Sequence, residues 1–276
     1  MILVNGEARS TISATDRGFF YGDGVFRTFP AVDGRPLHWV RHHAKLVHDC
    51  AALALRAPDA LELERDVATA CESRSACTVK IIVTRGSGRR GYACDTDTVA
   101  TRVVIAEAPS RYPDSYSEAG VRVVLCSLLL GAQPRLAGIK HLNRLENVLA
   151  RAEWNDGDIA EGILRDLEGH VVGGTMTNLF IVSDGELLTP PLDRCGVAGV
   201  TRDRIIDAAA REGMPCRATE LSWDAVLAAE EVFLVNSLAG IWPVRTIEGH
   251  TRARAPGSVT RRLQAALARE DDAQTN

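Results

Sequence analysis

Lysine is scarce in this chain. Three lysines occur among 32 basic side chains, so the remaining 29 are arginines. Where positive charge alone is needed the sequence uses arginine, and a retained lysine therefore indicates chemistry that a guanidinium cannot perform, such as a Schiff base with a carbonyl. Lys140, just ahead of a predicted helix start, is the first candidate, and Lys45 and Lys80 are the others. Chance survival in an arginine-rich composition is the alternative explanation.

Other absences limit the class of protein. The seven cysteines form no CxxC pair and no metal-ligand spacing, and their number is odd, which favours a reducing cytoplasm. No secretion signal and no apolar run of membrane length are visible, so no membrane partner is expected. The net charge of -4 gives no basic field for nucleic acid. The 276 residues suffice for two lobes around sizeable cores.

The order of strand and helix patterns predicts an α+β fold, because they mix without regular βαβ alternation. Periodicity is lost between Pro109 and Gly120, which predicts an N-terminal lobe over 1–109, a linker over 110–119 and a larger C-terminal lobe over 120–276. Strands are predicted over 2–4, 25–32, 78–84, 101–107, 121–125, 232–235 and 242–247. Helices are predicted over 41–55, 58–74 and 143–154, with hairpins at 33–34, 166–169 and 183–185. A last amphipathic helix precedes an acidic tail that is expected to fray.

Two local patterns suggest sites that their context argues against. The 85–92 loop contains G-x-G-x-x-G after a strand, but a dinucleotide site also needs a helix there, and another strand follows. The loop instead offers arginines and a tyrosine for gripping a carboxylate. Four histidines, at 38, 42, 43 and 48, lie near one predicted helix without an H-E-x-x-H pattern. We interpret them as solvated helix residues and expect no metal.

Two segments of the second half could hold a phosphate group. The 196–202 segment is a glycine loop that enters a helix, whose free N–H groups and dipole favour an anion. Asn236-Ser237-Leu238 ends an apolar strand. Each signal alone is weak, but together with a lone Schiff-base lysine they match the needs of pyridoxal 5'-phosphate, which are an amine for the aldehyde and a helix N-terminus for the phosphate.

Several motifs, spread over nearly the whole chain, resemble the fold-type IV pyridoxal-phosphate enzymes. This group contains the branched-chain and D-amino acid aminotransferases, and the lyases that act on 4-amino-4-deoxychorismate are the most similar members. The matching motifs are Asp16-Arg17-Gly18, Gly22-Asp23-Gly24-Val25-Phe26-Arg27-Thr28, the 85–92 loop, the 136–146 segment around Lys140, Asn178-Leu179-Phe180, and Thr189-Pro190-Pro191-Leu192-Asp193 leading into Gly196 and Gly199.

The resemblance implies a two-lobed α+β architecture, a homodimer and a set of site residues. Lys140 would carry the cofactor and act as the catalytic base. The main chain of Val200 and Thr201, with Ser237, would hold the phosphate. Thr28 would stand beside the reaction centre, while Arg90 and Tyr92 would bind the substrate carboxylates. The resemblance thus implies that the catalytic residues are Lys140 and Thr28, that the substrate-binding residues are Arg90 and Tyr92, and that the cofactor is bound by Lys140, Lys45, Val200, Thr201 and Ser237.

Two departures from the family pattern bear on activity. Lys45 stands where the family has a phosphate-contacting arginine, so the charge is kept and the bidentate fork is lost. Gly173 stands where the family has a glutamate that faces the pyridine nitrogen of the cofactor. Without that carboxylate the cofactor is a weaker electron sink, which should harm transamination more than an elimination whose product becomes aromatic.

The resemblance therefore predicts a lyase of folate biosynthesis that converts 4-amino-4-deoxychorismate to 4-aminobenzoate and pyruvate. In this expectation the amine of Lys140 removes the proton from the carbon that bears the substrate nitrogen, and Thr28 assists the departing enol. Two alternatives stay open: an aminotransferase for D- or branched-chain amino acids, and a non-catalytic carrier of the cofactor. Release of pyruvate without an amino acceptor separates the lyase from the first alternative, and turnover separates it from the second.

Overall fold

The structure, a computed structural model, describes residues 1–94, 98–247, 250–251 and 255–275. These residues form two units. Unit 1 comprises Met1–Arg111 together with Ile139–Asn143, and unit 2 comprises Tyr112–Gly138 and Arg144–Gln274. The short segment that contains Lys140 therefore belongs to the first unit, although it lies in the second half of the sequence. The predicted lobe limits of 1–109 and 120–276 stay a prediction.

Unit 1 is built on one antiparallel sheet of six strands in the order β2-β1-β6-β5-β3-β4. Its elements are β1 (Ile2–Val4), β2 (Glu7–Ala8), α1 (Arg17–Tyr21), β3 (Gly24–Val32), β4 (Arg35–Pro36), α2 (Trp39–Ala52), α3 (Ala60–Cys71), β5 (Ala76–Thr84) and β6 (Thr101–Glu107). The strands alternate between a buried and a half-buried face, as period-two patterns require. The buried face packs with α2 and α3 in one apolar cluster.

The half-buried face of this sheet carries Thr28, which the sequence predicts to be catalytic. In β3 it presents Phe26 and Thr28, while Val25 and Phe29 point into the core. Thr28 pairs in register with Lys80 of β5, so both side chains rise from the same face. Lys80 is half-buried there.

Unit 2 contains a mixed sheet of nine strands in the order β12-β11-β10-β13-β14-β7-β8-β9, with β15 beside β14. Its elements are α4 (Ser115–Glu118), β7 (Val121–Leu130), α5 (Leu145–Arg151), β8 (Ile159–Asp166), β9 (Val171–Gly174), β10 (Asn178–Ser183), β11 (Glu186–Thr189), α6 (Val200–Arg211), β12 (Cys216–Ala218), α7 (Trp223–Ala228), β13 (Glu231–Asn236), β14 (Gly240–Ile247), β15 (His250–Thr251) and α8 (Ser258–Thr275). Strand β7 pairs in parallel with β14 and β8, and most other pairs are antiparallel. The predicted α+β class is confirmed.

The core of unit 2 lies on both faces of this sheet. On one face Trp242 is fully buried and receives Tyr112 and Tyr116 edge-on, at 4.7 and 5.1 Å between ring centroids. On the other face Phe180 stacks on Phe233 at 5.3 Å, under α6 and α8. Such aromatic pairs add to the area that they bury. No helix among the described residues is long and apolar enough to cross a membrane.

The histidine interpretation was wrong in part. His38 and His42 are only 6% and 3% exposed: His38 is the N-cap residue of α2, and His42 lies on the buried face of that helix. The ring of His42 stands 4.8 Å from that of Phe29. His43 contacts Trp39, and only His48 is well exposed. No cluster of metal-ligating side chains occurs in the part of the chain that is described.

The acidic tail is helical, contrary to the prediction that it frays. Helix α8 continues through Glu270 and Asp271 to Thr275. Arg204 of α6 is 5% exposed and donates to Glu270 Oε2 at 3.1 Å and to the Asp271 carboxylate. A buried guanidinium requires such partners, because it has lost its hydration. The two carboxylates thus fix the end of the helix.

Removing both carboxylates tests this role. The double variant Glu270→Gln, Asp271→Asn should lower the free energy of unfolding by about 1–2 kcal/mol, since Arg204 keeps its charge while its partners are partly exposed. Urea denaturation measures the change. The control is Glu212→Gln, whose arginine partners are more than half exposed, with an expected loss below about 0.5 kcal/mol. Equal losses in the two proteins would contradict the role given to Arg204.

Candidate active site

The main chain of Lys140 is held on both sides within unit 1. Its N–H donates to Asp49 Oδ2 of α2 at 3.0 Å, and its carbonyl accepts from the N–H of Phe26 in β3 at 2.9 Å. The next residues continue the pairing, with Leu142 N donating to Gly24 O at 2.9 Å. Lys140 is thus part of a short strand-like segment that lies against β3, and its backbone position is fixed.

Asp49 is fully buried and forms an ion pair with Arg27, whose side chain is also buried. Arg27 donates in addition to the carbonyl of Lys45 at 3.3 Å. Burying a carboxylate is costly unless a cation and hydrogen-bond donors compensate it, and here Arg27 and the Lys140 N–H supply both. Sequence reasoning assigned no role to Asp49, because a single aspartate in a helix carries no recognisable signal.

The side chain of Lys140 lies over an aromatic ring. Its Nζ is 4.6 Å from the centroid of Phe26, a distance typical of a cation–π contact. Thr28 follows two residues later on the same half-buried face of β3. The structure therefore brings the two predicted catalytic residues, Lys140 and Thr28, to one face of one sheet. Lys45 lies half-buried in the middle of α2.

The 85–92 loop is anchored by Asp23. Its carboxylate accepts from Arg17 Nε at 3.0 Å and from Arg85 Nε at 2.7 Å, with a further bond from Arg85 Nη2 at 3.0 Å. Arg17 Nη1 reaches the carbonyl of Gly91 at 2.8 Å. Between β5 and β6 no described residue is helical, in agreement with the rejection of a dinucleotide site.

Arg90 and Tyr92 are both exposed on this loop, Tyr92 by 87%. The ring of Tyr92 lies 5.5 Å from that of Tyr21. The assignment of Arg90 and Tyr92 as carboxylate ligands stays a prediction.

Unit 2 contains a candidate anion site, here called the cradle, at the start of α6. Gly199 is the N-cap residue and has no side chain to cap the helix, so the first N–H groups, including those of Val200 and Thr201, have no intrahelical acceptor. The hydroxyl groups of Thr201 and Ser237 lie 3.4 Å apart. Hydroxyls and helix N–H groups are the donors that a phosphate ester needs. The three residues predicted to hold the phosphate are thus together in unit 2.

Asn178 shapes this cradle. Its side chain donates to Val197 O at 2.7 Å and accepts from Gly199 N at 3.1 Å, so both sides of the glycine loop are fixed. A Cβ at Gly199 would lie 2.4 Å from Asn178 Oδ1, so a side chain there would displace the Asn178 amide. The loop also pairs with Gly138, which stands two residues before Lys140 in the chain. The sequence showed Asn178 within a motif but gave it no role.

Gly173 has a backbone that a side chain would strain. Its φ is +158°, and an added Cβ would lie 2.8 Å from the carbonyl oxygen of Thr177. Glutamate at 173 therefore cannot be introduced without rearranging the turn, so the substitution is not a clean probe of the missing carboxylate.

The nearest buried carboxylate in this region, Glu161 of β8, is already fully engaged. It accepts five hydrogen bonds, from the main chain of Gly162, Thr175 and Met176 and the hydroxyls of Thr175 and Thr177. Burial, which outweighs these bonds, raises the pKa of Glu161. The residue organises the 174–177 turn after β9, and sequence reasoning did not identify it.

Comparison with known proteins agrees with this geometry. The family described as Amino-transferase class IV matches residues 24–247. An aminodeoxychorismate lyase of Vibrio harveyi is 34% identical over 97% of this chain and 99% of its own. A solved structure of 4-amino-4-deoxychorismate lyase from Pseudomonas aeruginosa is 41% identical, with a TM-score of 0.93 over 98% of both chains. A branched-chain amino acid aminotransferase of Escherichia coli is 25% identical, with a TM-score of 0.87 over 97% and 93%.

Acid titration tests the anchor of the 85–92 loop. Burial raises the pKa of Asp23, but the hydrogen bonds and charges of Arg85 and Arg17 outweigh it and place the pKa below its ordinary value of 3.8. The folded protein then binds this proton less readily than the unfolded chain does. Asp23 stabilises the fold above pH 3.8, and the contribution is lost as the pH falls through the lower folded value.

We therefore expect the stability difference between the wild type and Asp23→Asn to be largest near neutral pH and to shrink below pH 3.8. Denaturant unfolding over a pH series measures it. The control is Asp156→Asn, because Asp156 pairs with Arg122 at the surface of unit 2 and both side chains are at least 40% exposed. A difference for Asp23 that stays constant across the acid range would contradict the ion-pair assignment.

Proposed function

This chain belongs to the class IV aminotransferase family, and from that premise we propose that it is a pyridoxal-phosphate-dependent lyase that converts 4-amino-4-deoxychorismate to 4-aminobenzoate and pyruvate. The relatives of that name match it at 34% and 41% identity over nearly the full length, whereas the E. coli aminotransferase matches at 25%. The observation that carries the proposal is the fixed position of Lys140 above Phe26, on the sheet face that also presents Thr28.

The donor set fits the cofactor. The N-terminus of α6, with the hydroxyls of Thr201 and Ser237, would hold the phosphate. Lys140 supplies the amine that an aldehyde requires. We assign the positive charge of Lys45 to the phosphate as well. When bound, pyridoxal phosphate supplies an aldehyde for the substrate amine and an electron sink for the bond-breaking steps.

We assign the proton transfers and the binding of the substrate carboxylates to residues of unit 1. The neutral amine of Lys140 removes the proton from the ring carbon that bears the substrate nitrogen. The electron pair of that C–H bond closes the aromatic ring as the C–O bond to the enolpyruvyl group breaks. Thr28 orients a proton donor towards the departing enol, which takes up a proton and becomes pyruvate. Arg90 and Tyr92, on the 85–92 loop, would bind substrate carboxylates.

The geometry at Gly173 favours elimination over transamination. Its φ of +158° and the close Thr177 carbonyl leave no room for a carboxylate at this position, and Glu161 already accepts five hydrogen bonds. Transamination depends strongly on the electron sink, whereas formation of an aromatic ring supplies a driving force of its own. An aminotransferase remains the second candidate, because proteins of that name share the fold.

We also infer that the enzyme is a cytoplasmic homodimer. Leu145, Val148 and Leu149 form a stripe on α5, and each is more than half exposed. A stripe of this kind on a short helix suits burial against a second copy of the chain. The seven cysteines are all free thiols, as expected in a reducing compartment.

Product analysis with a Lys140 variant tests the function. The purified wild type, given aminodeoxychorismate and no amino acceptor, should release pyruvate and 4-aminobenzoate in equal amounts. Borohydride reduction should fix the cofactor on Lys140. Lys140→Ala should lose most of the turnover, because one amine serves as attachment point and base. Lys140→Arg is the matched control for charge and should be equally inactive, since a guanidinium stays protonated.

Two results would contradict this proposal. Keto-acid exchange between amino donors, without pyruvate release from aminodeoxychorismate, would make the chain an aminotransferase. Cofactor binding without turnover of any substrate would make it a carrier. A label on Lys45 or Lys80 would contradict the assignment of Lys140 alone.

A further inference from the structure

A second amine reaches the ring that Lys140 covers. Lys80 Nζ lies 4.8 Å from the centroid of Phe26, and Lys140 Nζ lies 4.6 Å from the same centroid. The two ammonium nitrogens are therefore no more than 9.4 Å apart, the sum of these distances. Lys80 is in the middle of β5, opposite Thr28, and is half-buried. Two of the three lysines of the chain thus converge on one aromatic side chain.

A structural role alone does not account for this arrangement. One cation over a phenyl ring is favourable, but a second cation near the first is repelled by it. In the described part of the chain no carboxylate pairs with Lys80, whose cross-strand neighbours are Thr28 and Ile105. This repulsion applies to the protein without cofactor, because a Lys140 that carries pyridoxal phosphate is no longer an ammonium. In the loaded enzyme Lys80 is the amine of this pair that keeps its charge, no described acidic side chain offsets it, and an anionic ligand would.

We propose that the Lys80 ammonium binds the ring carboxylate of the substrate, the one that stands para to the reacting amine. This inference rests on the proposed function and extends it to a specificity-determining residue. With the substrate amine at the position of the Lys140 amine, the Lys80 ammonium is at most 9.4 Å away, a span that the ring and its para carboxylate can bridge. The two ends of a para-amino carboxylate face in opposite directions across one six-membered ring, and this suits two amines on one aromatic side chain.

The para carboxylate is the group that the product keeps. 4-Aminobenzoate retains both the amine and the ring carboxylate, whereas pyruvate carries away the other carboxylate. Lys80 therefore contacts substrate and product alike, and its loss weakens the binding of both. An amine that lacks the carboxylate, such as aniline, gains nothing from Lys80. The contribution of the residue is thus measurable by binding alone, without turnover.

The test uses the cofactor-loaded enzyme and three variants. Lys80→Met keeps the length of the side chain and removes its charge, Lys80→Arg keeps the charge, and Arg65→Met removes one positive charge from the exposed surface of α3 as a control. Calorimetry measures the dissociation constants of 4-aminobenzoate, aniline and pyruvate. Cofactor absorbance and thermal denaturation first establish that each variant is loaded and folded.

We expect Lys80→Met to weaken 4-aminobenzoate binding roughly 10-fold, the effect of losing one charge-assisted hydrogen bond, and to leave aniline and pyruvate unchanged. Lys80→Arg should recover most of this loss, and Arg65→Met should behave as the wild type. The KM for aminodeoxychorismate should rise with Lys80→Met more than kcat falls.

Several results would overturn the proposal. One is an unchanged preference for 4-aminobenzoate over aniline in Lys80→Met, and another is a loss that falls on pyruvate. If Lys80→Met and a second neutral variant, Lys80→Gln, both fail to fold or load, the residue is structural and the proposal is wrong. A wild type that prefers 4-aminobenzoate through Lys80 but releases no pyruvate would instead contradict the proposed function and leave the carboxylate contact standing.

Discussion

The buried carboxylate of Asp49 fixes the main chain of Lys140, and the chemistry assigned to unit 1 depends on that contact. Asp49 is on α2 and its cation, Arg27, is on β3, so the pair also ties the helix to the sheet. An uncompensated buried carboxylate is strongly destabilising, which means that Arg27 and the Lys140 N–H are required together. As a consequence the side chain of Lys140 starts from a rigid point and reaches the ring of Phe26. A catalytic amine needs this kind of preorganisation.

The phosphate site that we propose in unit 2 depends on backbone geometry rather than on charge. The cradle at the start of α6 consists of free N–H groups and two hydroxyls, and Asn178 fixes the loop before it. Gly199 is required there because a Cβ would collide with Asn178. Glu161 fixes the turn after β9 in a similar way, because it accepts from the main-chain N–H groups of Thr175 and Met176 in that turn. Asn178 and Glu161 each fix the shape of a loop, and neither is assigned a contact with a ligand.

Features that follow from local sequence patterns could be predicted, whereas features that depend on contacts between residues distant in sequence could not. The strands of unit 1, the hairpins and the glycine loop before α6 follow local rules of alternation and turn chemistry, and the fold class was confirmed. The roles of Asp49 and Glu161 were not predictable, since each depends on residues distant in sequence. The buried His38 and His42 were misjudged for the same reason, because a single helix does not reveal which face will pack. The acidic tail is helical because Glu270 pairs with Arg204, and the sequence does not reveal this pair because the two residues are 66 positions apart.

Amide hydrogen exchange at Lys140 tests the central claim most directly. The account predicts strong protection of this N–H in the wild type and, in Asp49→Ala, exchange roughly 10-fold faster or more at Lys140, because loss of a buried acceptor costs about 1–3 kcal/mol. The amide of Leu234, in the core of unit 2, should keep its protection and serves as the internal control. Asp49→Asn, which retains an acceptor oxygen, should show a smaller change. Equal protection of the Lys140 amide in the wild type and in Asp49→Ala would show that another contact holds the lysine, and would contradict the account.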